Sequence, residues 1–519
     1  MPKSGPQRAA AAASWSCASN MGLFDRLRAA WRRPRRPAAR APTSGFAAAD
    51  TSRMAASLAS ESEYINRTLR YQLRMLRARS RQLAMNNAYG KRFAQMVVDN
   101  LCGPVPFILQ AKVKTARGKL DDMANVRIEA AWKSWSRKGQ CEITGQWSLN
   151  AVWRLIARIW AVDGEVILRK YRGPEYGPHA FRLQVIDSDR LDDLKNERLS
   201  NGGAIAMGIE YDAVQRPVAY HILKRKPADW ERGYSRDSER IPAEEILHLY
   251  LPEHAEQGRG VPWMYAAMME LVHLGAFEEA AVIAARVGAS QMGVIQSPDG
   301  GEQLVGDSKT EQGNPQIEAE PGTFPMLPPG YEIAGWNPKY PDAAVGPFLK
   351  SCLRGVAGGL GVAYHNLSND LEGVNYSSAR IGELDERDMW MALQNFMIEH
   401  CHQPLFEEWL GMQIMTGKLP FEYGNQRYYD VRFQGRRWAW VDPKKEIDAN
   451  ISAIDARLKS RSRVVSELGE DFEEVLDELA SEQEMMKAKK LTPPPAAKPA
   501  APNNGDSTDG EAEPEAEDD

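Results

Sequence analysis

The sequence predicts a helix-rich α+β protein, and three observations predict it. Apolar residues recur at helical spacing in long stretches near 65–101, 121–162, 262–289 and 376–410. Strand-like runs cluster between residues 165 and 251. A glycine-rich turn and a polar loop then feed a helix far longer than usual, within 353–410. The 519 residues leave room for several core-forming units or one elaborate domain, and 43% hydrophobic residues suit a folded chain. No apolar run of about eighteen residues occurs, so no membrane-spanning helix is expected.

Residues 1–20 are low-complexity, and Met21-Gly22-Leu23-Phe24-Asp25 reads as a more natural start. Arginines are dense through Arg32-Arg33-Pro34-Arg35-Arg36, so 1–60 is expected to be a disordered basic arm. A nucleic-acid or protein contact is the alternative reading of that arm. Order should begin near Ser62, with Leu69, Leu73, Leu76 and Leu83 on one helical face. Arg67, Arg70, Arg74, Arg77, Arg79 and Arg81 are placed off that face, solvated and ion-paired. Asn86-Asn87 and Gly90 interrupt the helix, and Phe93 to Leu101 resume it.

A strand is expected at 107–113, then helices at 121–137 and 148–162 whose tryptophans read as core. Strands follow at 165–171, 181–186, 205–211 and 217–223, the last two joined by a hairpin at 212–216. After a short strand at 246–251, Pro262 sits in the first turn of a helix running to about Ala289. Its small residues (Ala266, Ala267, Ala280, Ala281, Ala284, Ala285) suit close packing against neighbouring helices. Residues 290–340 read as a mobile segment between short strands at 292–296 and 330–333. A helix from about Asp342 to Ala357 leads into the glycine-rich turn. From Tyr376 the helix should run roughly 50 Å to Leu410, with Pro404 ending or kinking it. A strand at 428–433 and helices at 443–458 and 462–490 precede a Pro/Ala-rich, then acidic tail at 491–519.

The search for chemistry finds no catalytic constellation. No G-x-x-x-x-G-K-[ST] loop, G-x-S-x-G elbow or H-E-x-x-H pair occurs. Gly355, Gly358, Gly359 and Gly361 do not match G-x-G-x-x-G and read as a flexible helix end. His400 and His402 point in different directions on a helix, and His248 and His254 read as structural. Cys17, Cys102, Cys141, Cys352 and Cys401 form no C-x-x-C pair, which argues for reduced thiols and against a zinc site. No cofactor and no metal are expected. The net charge of −5 argues against a protein whose main task is gripping phosphates.

Five segments together resemble one family. They are Leu76-Arg77-Ala78-Arg79-Ser80-Arg81-Gln82-Leu83 with Asn86-Asn87, then Arg259-Gly260-Val261-Pro262, and the 355–380 stretch ending Tyr376-Ser377-Ser378-Ala379-Arg380. Trp440-Val441-Asp442-Pro443-Lys444-Lys445-Glu446 follows, then Arg461-Ser462-Arg463 with Gly469-Glu470-Asp471-Phe472-Glu473-Glu474. In order and spacing over about 60–485, the chain resembles the lambda-type portal proteins of tailed bacteriophages.

The resemblance implies the portal fold, with wing, stem, clip and crown assembling into a ring of usually twelve copies at one capsid vertex. It maps the wing to 61–261 and 376–444, stem helices to 262–289 and 341–362, the clip to 290–340 and the crown to 445–490. The loop 363–375 would be the tunnel loop facing DNA, with His365, Asn366, Ser368, Asn369 and Asn375 as channel residues. The implied partners are double-stranded DNA, the terminase large subunit, capsid and scaffolding proteins, and head-completion and tail connector proteins. The implied location is the virion, after assembly in the host cytoplasm. A channel that lets DNA slide cannot be lined with dense arginine, and a loop carrying Asp370 and Glu372 is suitably weak in phosphate affinity. Deleting 366–374 is therefore expected to spare the ring and impair packaging or DNA retention. A phage-encoded DNA-processing enzyme such as a nuclease, and another head or connector protein that grips DNA electrostatically, are the competing readings.

Overall fold

Two helices come first among the described residues, separated at Asn87. Helix α1 (Ile65–Asn86) buries Leu69, Leu73 and Leu83. Asn87 is extended (φ −104°), and its side chain accepts the Gly90 amide at 3.0 Å to start α2 (Ala88–Leu101). Gly90 is required there, because a Cβ would lie 2.8 Å from the Leu83 carbonyl oxygen. The computed structural model describes residues 64–104, 107–225, 237–290, 294–296, 308–309, 315–316, 332–334, 344–372, 376–438, 443–468 and 472–489. The basic arm 1–60, the acidic tail 491–519 and most of the 290–340 segment lie outside them.

The α+β body follows the predicted order. Strand β1 (Ile108–Ala111) pairs antiparallel with β14 (Val431–Gln434), joining segments more than three hundred residues apart. Helices α3 (Asp122–Trp135) and α4 (Leu149–Asp163) start on the side chains of Asp121 and Ser148, which accept backbone amides three residues on. Strand β2 (Glu165–Arg172) lies between β3 (Phe181–Ile186) and β9 (Ile246–Tyr250) in an antiparallel sheet. A five-stranded meander runs β4 (Glu197–Arg198), β5 (Ala204–Ala206), β6 (Ile209–Tyr211), β7 (Pro217–Leu223) and β8 (Ser238–Pro242). The expected single strand over 205–211 is thus two strands. Met207 (φ 50°) and Gly208 (φ 83°) take left-handed conformations that turn the chain between them.

The helix expected from Pro262 begins later, as α5 (Met268–Ser290). The Trp263 amide is drawn away to the Ala161 carbonyl (3.0 Å), and residues 262–267 close as turns through Tyr265 to Pro262 and Ala267 to Met264. Within 290–340 only short strands are described: β10 (Val294–Gln296) with β13 (Glu332–Ala334), and β11 (Ser308–Lys309) with β12 (Pro315–Gln316). Helix α6 (Val345–Leu360) packs on α5 through Phe277 and Phe348, whose rings are 5.2 Å apart. It ends at Gly361 (φ 69°), as the glycine-rich turn predicted.

Past the short helix α7 (Tyr364–Ser368), α8 (Tyr376–Met397) and α9 (Gln403–Met415) form the long helical run. Pro404 does not end it. A wide turn at Ile398–His402, closed by the Gln403 amide on the Ile398 carbonyl, makes room for the proline ring. Phe406 and Trp409 of α9 then meet Trp132 of α3 at centroid distances of 5.7 and 5.0 Å, so the tryptophans are core as expected. Among the described C-terminal residues, α10 (Pro443–Asp455) is followed by α11 (Arg461–Leu468) and α12 (Phe472–Ala488), against the single helix expected over 462–490.

Candidate functional site

The loop singled out in the sequence is folded and fastened at two places. Its first part, α7, docks on the long helix. Glu386 of α8 is buried and accepts the Ala363 amide (3.0 Å), the Asn366 side-chain amide (2.7 Å) and the Trp390 indole (2.9 Å). Arg92 of α2 donates to the Asn366 carbonyl at 3.2 Å. Leu367 is buried, and the His365 ring sits near Gly382 of α8. Ser368 is turned inward on the loop itself, donating to the Tyr364 carbonyl and accepting the Asp370 amide.

Asn369 ends α7 in the left-handed region (φ 58°) and is exposed. The chain then continues to Asp370, Leu371 and Glu372, which are held quite differently. Lys350 of α6 reaches Asp370 at 3.1 Å and Glu372 at 2.8 Å. The Tyr364 hydroxyl donates to the same Asp370 oxygen at 2.7 Å, and the Arg354 guanidinium lies 5.6 Å above the Tyr364 ring. That hydroxyl, then the Glu372 amide and Lys350, hold the Asp370 carboxyl below its usual range. Of the five predicted channel residues, His365, Asn366 and Ser368 are therefore committed to packing or internal hydrogen bonds. Asn369 faces solvent, and Asn375 lies outside the described residues. Sequence reasoning missed Lys350 and Glu386, because their partners are about twenty residues away with no local pattern linking them.

A second centre joins two of the sequence motifs. Arg77 does not lie off the apolar face, as expected, but on it, one turn beyond Leu73 and nearly fully buried. The spacing 69–73–77 carried that signal. Arg77 reaches Glu165 of β2 at 2.7 Å and Asp189 at 2.9 Å. Arg259, 1% exposed, clamps the same Glu165 through two guanidinium nitrogens, while the Gly260 amide (3.0 Å) and His248 (3.1 Å) complete its shell. Burial would raise this carboxyl's pKa, but Arg259 and then Arg77 hold it well below the usual range. Beside it, Arg81 ties Asp163, Asp187 and Asp189 together at 2.5–2.9 Å. Gly260 meets Gly164 so closely that a Cβ on Gly260 would lie 2.1 Å from the Gly164 carbonyl oxygen. The Arg-Gly-Val-Pro motif is thus a structural joint between α1, the three-stranded sheet and the approach to α5.

A cleft of about 340 Å³ opens beside Asn366, lined by residues including Arg92, Asp99, Glu383, Arg387, Arg436 and Trp438. Glu383 pairs with Arg387 at 3.3 Å, and Arg436 donates to the Asp99 backbone carbonyl at 2.6 Å. Among the described residues no three His, Cys, Asp or Glu side chains gather as a metal site, and no helix is long and apolar enough to cross a membrane. Cys102, Cys141, Cys352 and Cys401 are free thiols.

Comparison with known proteins gives a consistent result. A family model described as phage portal protein, lambda family, matches residues 51–394. A probable portal protein of Halomonas phage phiHAP-1 is 33% identical over 415 residues, covering 78% of this chain and 79% of its own. The portal protein B of Escherichia phage lambda is 20% identical over 454 residues, covering 80% and 85%. Among solved structures, the neck of an empty gene transfer agent particle matches with a TM-score of 0.42 and 15% identity, over 77% of this chain and 94% of that one.

Proposed function

The chain belongs to the lambda family of phage portal proteins, and from that premise we propose that it forms the ring at one capsid vertex through which double-stranded DNA enters and leaves. The carrying observation is the family match across 51–394, which spans the joint at Glu165, both packed helices α5 and α6, and the fastened loop. In this reading the ring has twelve copies and no catalytic activity. It nucleates the procapsid in the host cytoplasm, docks the terminase large subunit, contacts capsid and scaffolding proteins, and later holds head-completion and tail connector proteins. Helices α5 and α6 form the stem, the 290–340 segment the clip, α10 to α12 the crown, and the remaining α+β body the wing.

The surface of the stem helices supports a ring. Met269, Val272, Val282, Ile283 and Phe348 are each more than half exposed, although α5 and α6 already pack on one another. Apolar side chains in that number on two adjacent helices call for cover by a neighbour. A head-to-tail contact between identical subunits supplies it and closes when the rotation per subunit is right. The loop chemistry supports passage rather than grip. At the acidic end of the loop Lys350 is already engaged by two carboxylates, which weakens its pull on a duplex. Electron microscopy of the purified protein is the test. A ring with an axial hole of duplex width is expected, and a monomer with tight, salt-sensitive DNA binding overturns the proposal.

A further inference from the structure

We propose that Lys350 is a positioning residue that latches the acidic end of the loop, Asp370 and Glu372, onto the stem helix, and that residues 370–372 swing toward DNA when this latch opens while the helix before Asn369 stays docked. This rests on the reading of the loop as the part of the ring nearest DNA. The two fastenings differ in kind. At the N-terminal side, Glu386 is 8% exposed and accepts three hydrogen bonds, two of them from the loop. A buried, fully used carboxylate of that sort is costly to break. At the other side, Lys350 and Asp370 are partly open to solvent and Glu372 is 83% exposed. Exposed pairs of that sort contribute little and weaken with salt.

Between them lies Asn369, a non-glycine residue held in the left-handed region, where asparagine is tolerated better than most residues. It is the natural pivot, because the helix before it is docked and the chain after it is held mainly through ion pairs and hydrogen bonds of Asp370. The latch also has an electrostatic sense. Closed, it spends the Lys350 charge on two carboxylates and denies it to phosphate. Open, it separates one cation on the stem from two anions on the arm, and the anions repel a passing duplex. The DNA-responsive residues are then Asp370 to Glu372, rather than His365, Asn366 and Ser368 of the docked helix.

The test is hydrogen exchange, read by mass spectrometry, on the assembled ring of the full chain. In Lys350→Met the amides of 370–372 should exchange about two- to fivefold faster, the range expected from losing one or two exposed ion pairs. The amides of 363–367 should keep their wild-type rate. Lys350→Arg should behave as wild type, and raising the salt concentration should reproduce the Lys350→Met pattern in the unsubstituted ring. Equal exchange in Lys350→Met and wild type overturns the latch, as does an acceleration spread evenly over 363–372. If Lys350→Met fails to assemble, the wild-type salt series decides alone. DNA packaging and retention by particles carrying Lys350→Met are scored separately. A confirmed latch with unchanged DNA handling refutes the channel-facing reading of the loop and leaves the latch standing.

Discussion

Replacing Glu165 with glutamine tests whether the two arginine motifs meet in one buried node. The wild-type carboxylate takes Arg77, the Nε–Nη2 edge of the Arg259 guanidinium, His248 and the Gly260 amide. A glutamine keeps one acceptor oxygen but turns an NH2 toward a wall of donors, and it leaves two buried guanidiniums with less than their countercharge. Breaking one partner of a buried pair costs about 3–5 kcal/mol. Arg77 retains Asp189, whereas the Nη1 bond that Arg259 keeps is to the uncharged Met207 carbonyl. Most of the loss should therefore sit on Arg259. Denaturant unfolding at fixed protein concentration should show a lower midpoint at unchanged slope, since a ring's stability depends on concentration. Arg259→Met should be costly in the wild type but nearly neutral in the Glu165→Gln background, a coupling of about 2 kcal/mol or more. Costs that add to within about 0.5 kcal/mol would refute the shared node.

The buried His402 gives a pH signature. It is fully enclosed, with the tilted rings of Trp153 (4.2 Å) and Phe107 (4.3 Å) against it, and burial lowers its pKa from 6.5 to about 4. The unfolded chain then binds a proton that the native chain refuses, so stability is complete above about pH 6.5 and falls by about 3 kcal/mol as the pH drops to 4. Glu165 runs in the same direction in a lower window: its contribution is complete above the ordinary carboxylate pKa and is lost as the pH falls below it. The slope between pH 6.5 and 4.5, measured by thermal unfolding, should be shallower in His402→Gln, with His179 and His221, whose pKa values burial also lowers, keeping the remainder. Gly164→Ala should abolish soluble assembly, because a Cβ there would lie 2.1 Å from the Val261 carbonyl carbon at a φ of 84°; size-exclusion profiles check it. Exchanging residues 369–372 for an equal length of Gly-Ser should spare the ring and impair packaging or retention, since the anchor at Glu386 is left in place; normal DNA-filled heads would count against the channel reading.

Local patterns in the sequence were enough for most of the elements. The caps Asp121 and Ser148, the hairpin at 212–216 and the Gly361 helix end are short-range signals, and each stands where its chemistry requires. Errors arose where a distant group competed with a local one. The Ala161 carbonyl takes the Trp263 amide and delays α5. Arg77 was misplaced because arginine on an apolar face is unfavourable unless a buried carboxylate waits there, and Glu165 is 88 residues away.

The loop 363–372 shows where sequence stops and tertiary structure begins. Composition and order were sufficient to mark it as polar, acidic and placed between a stem-like helix and a long one, and the five motifs were sufficient to suggest the family. Which of its residues are free was decided elsewhere in the fold. Glu386 binds the loop from a helix that follows it, and Lys350 binds it from one that precedes it. Helical periodicity reports which face of an element is apolar, but it holds no information on how two elements are turned against each other. That relative placement turns Asn366 into an anchor and Asp370 into the end of a latch.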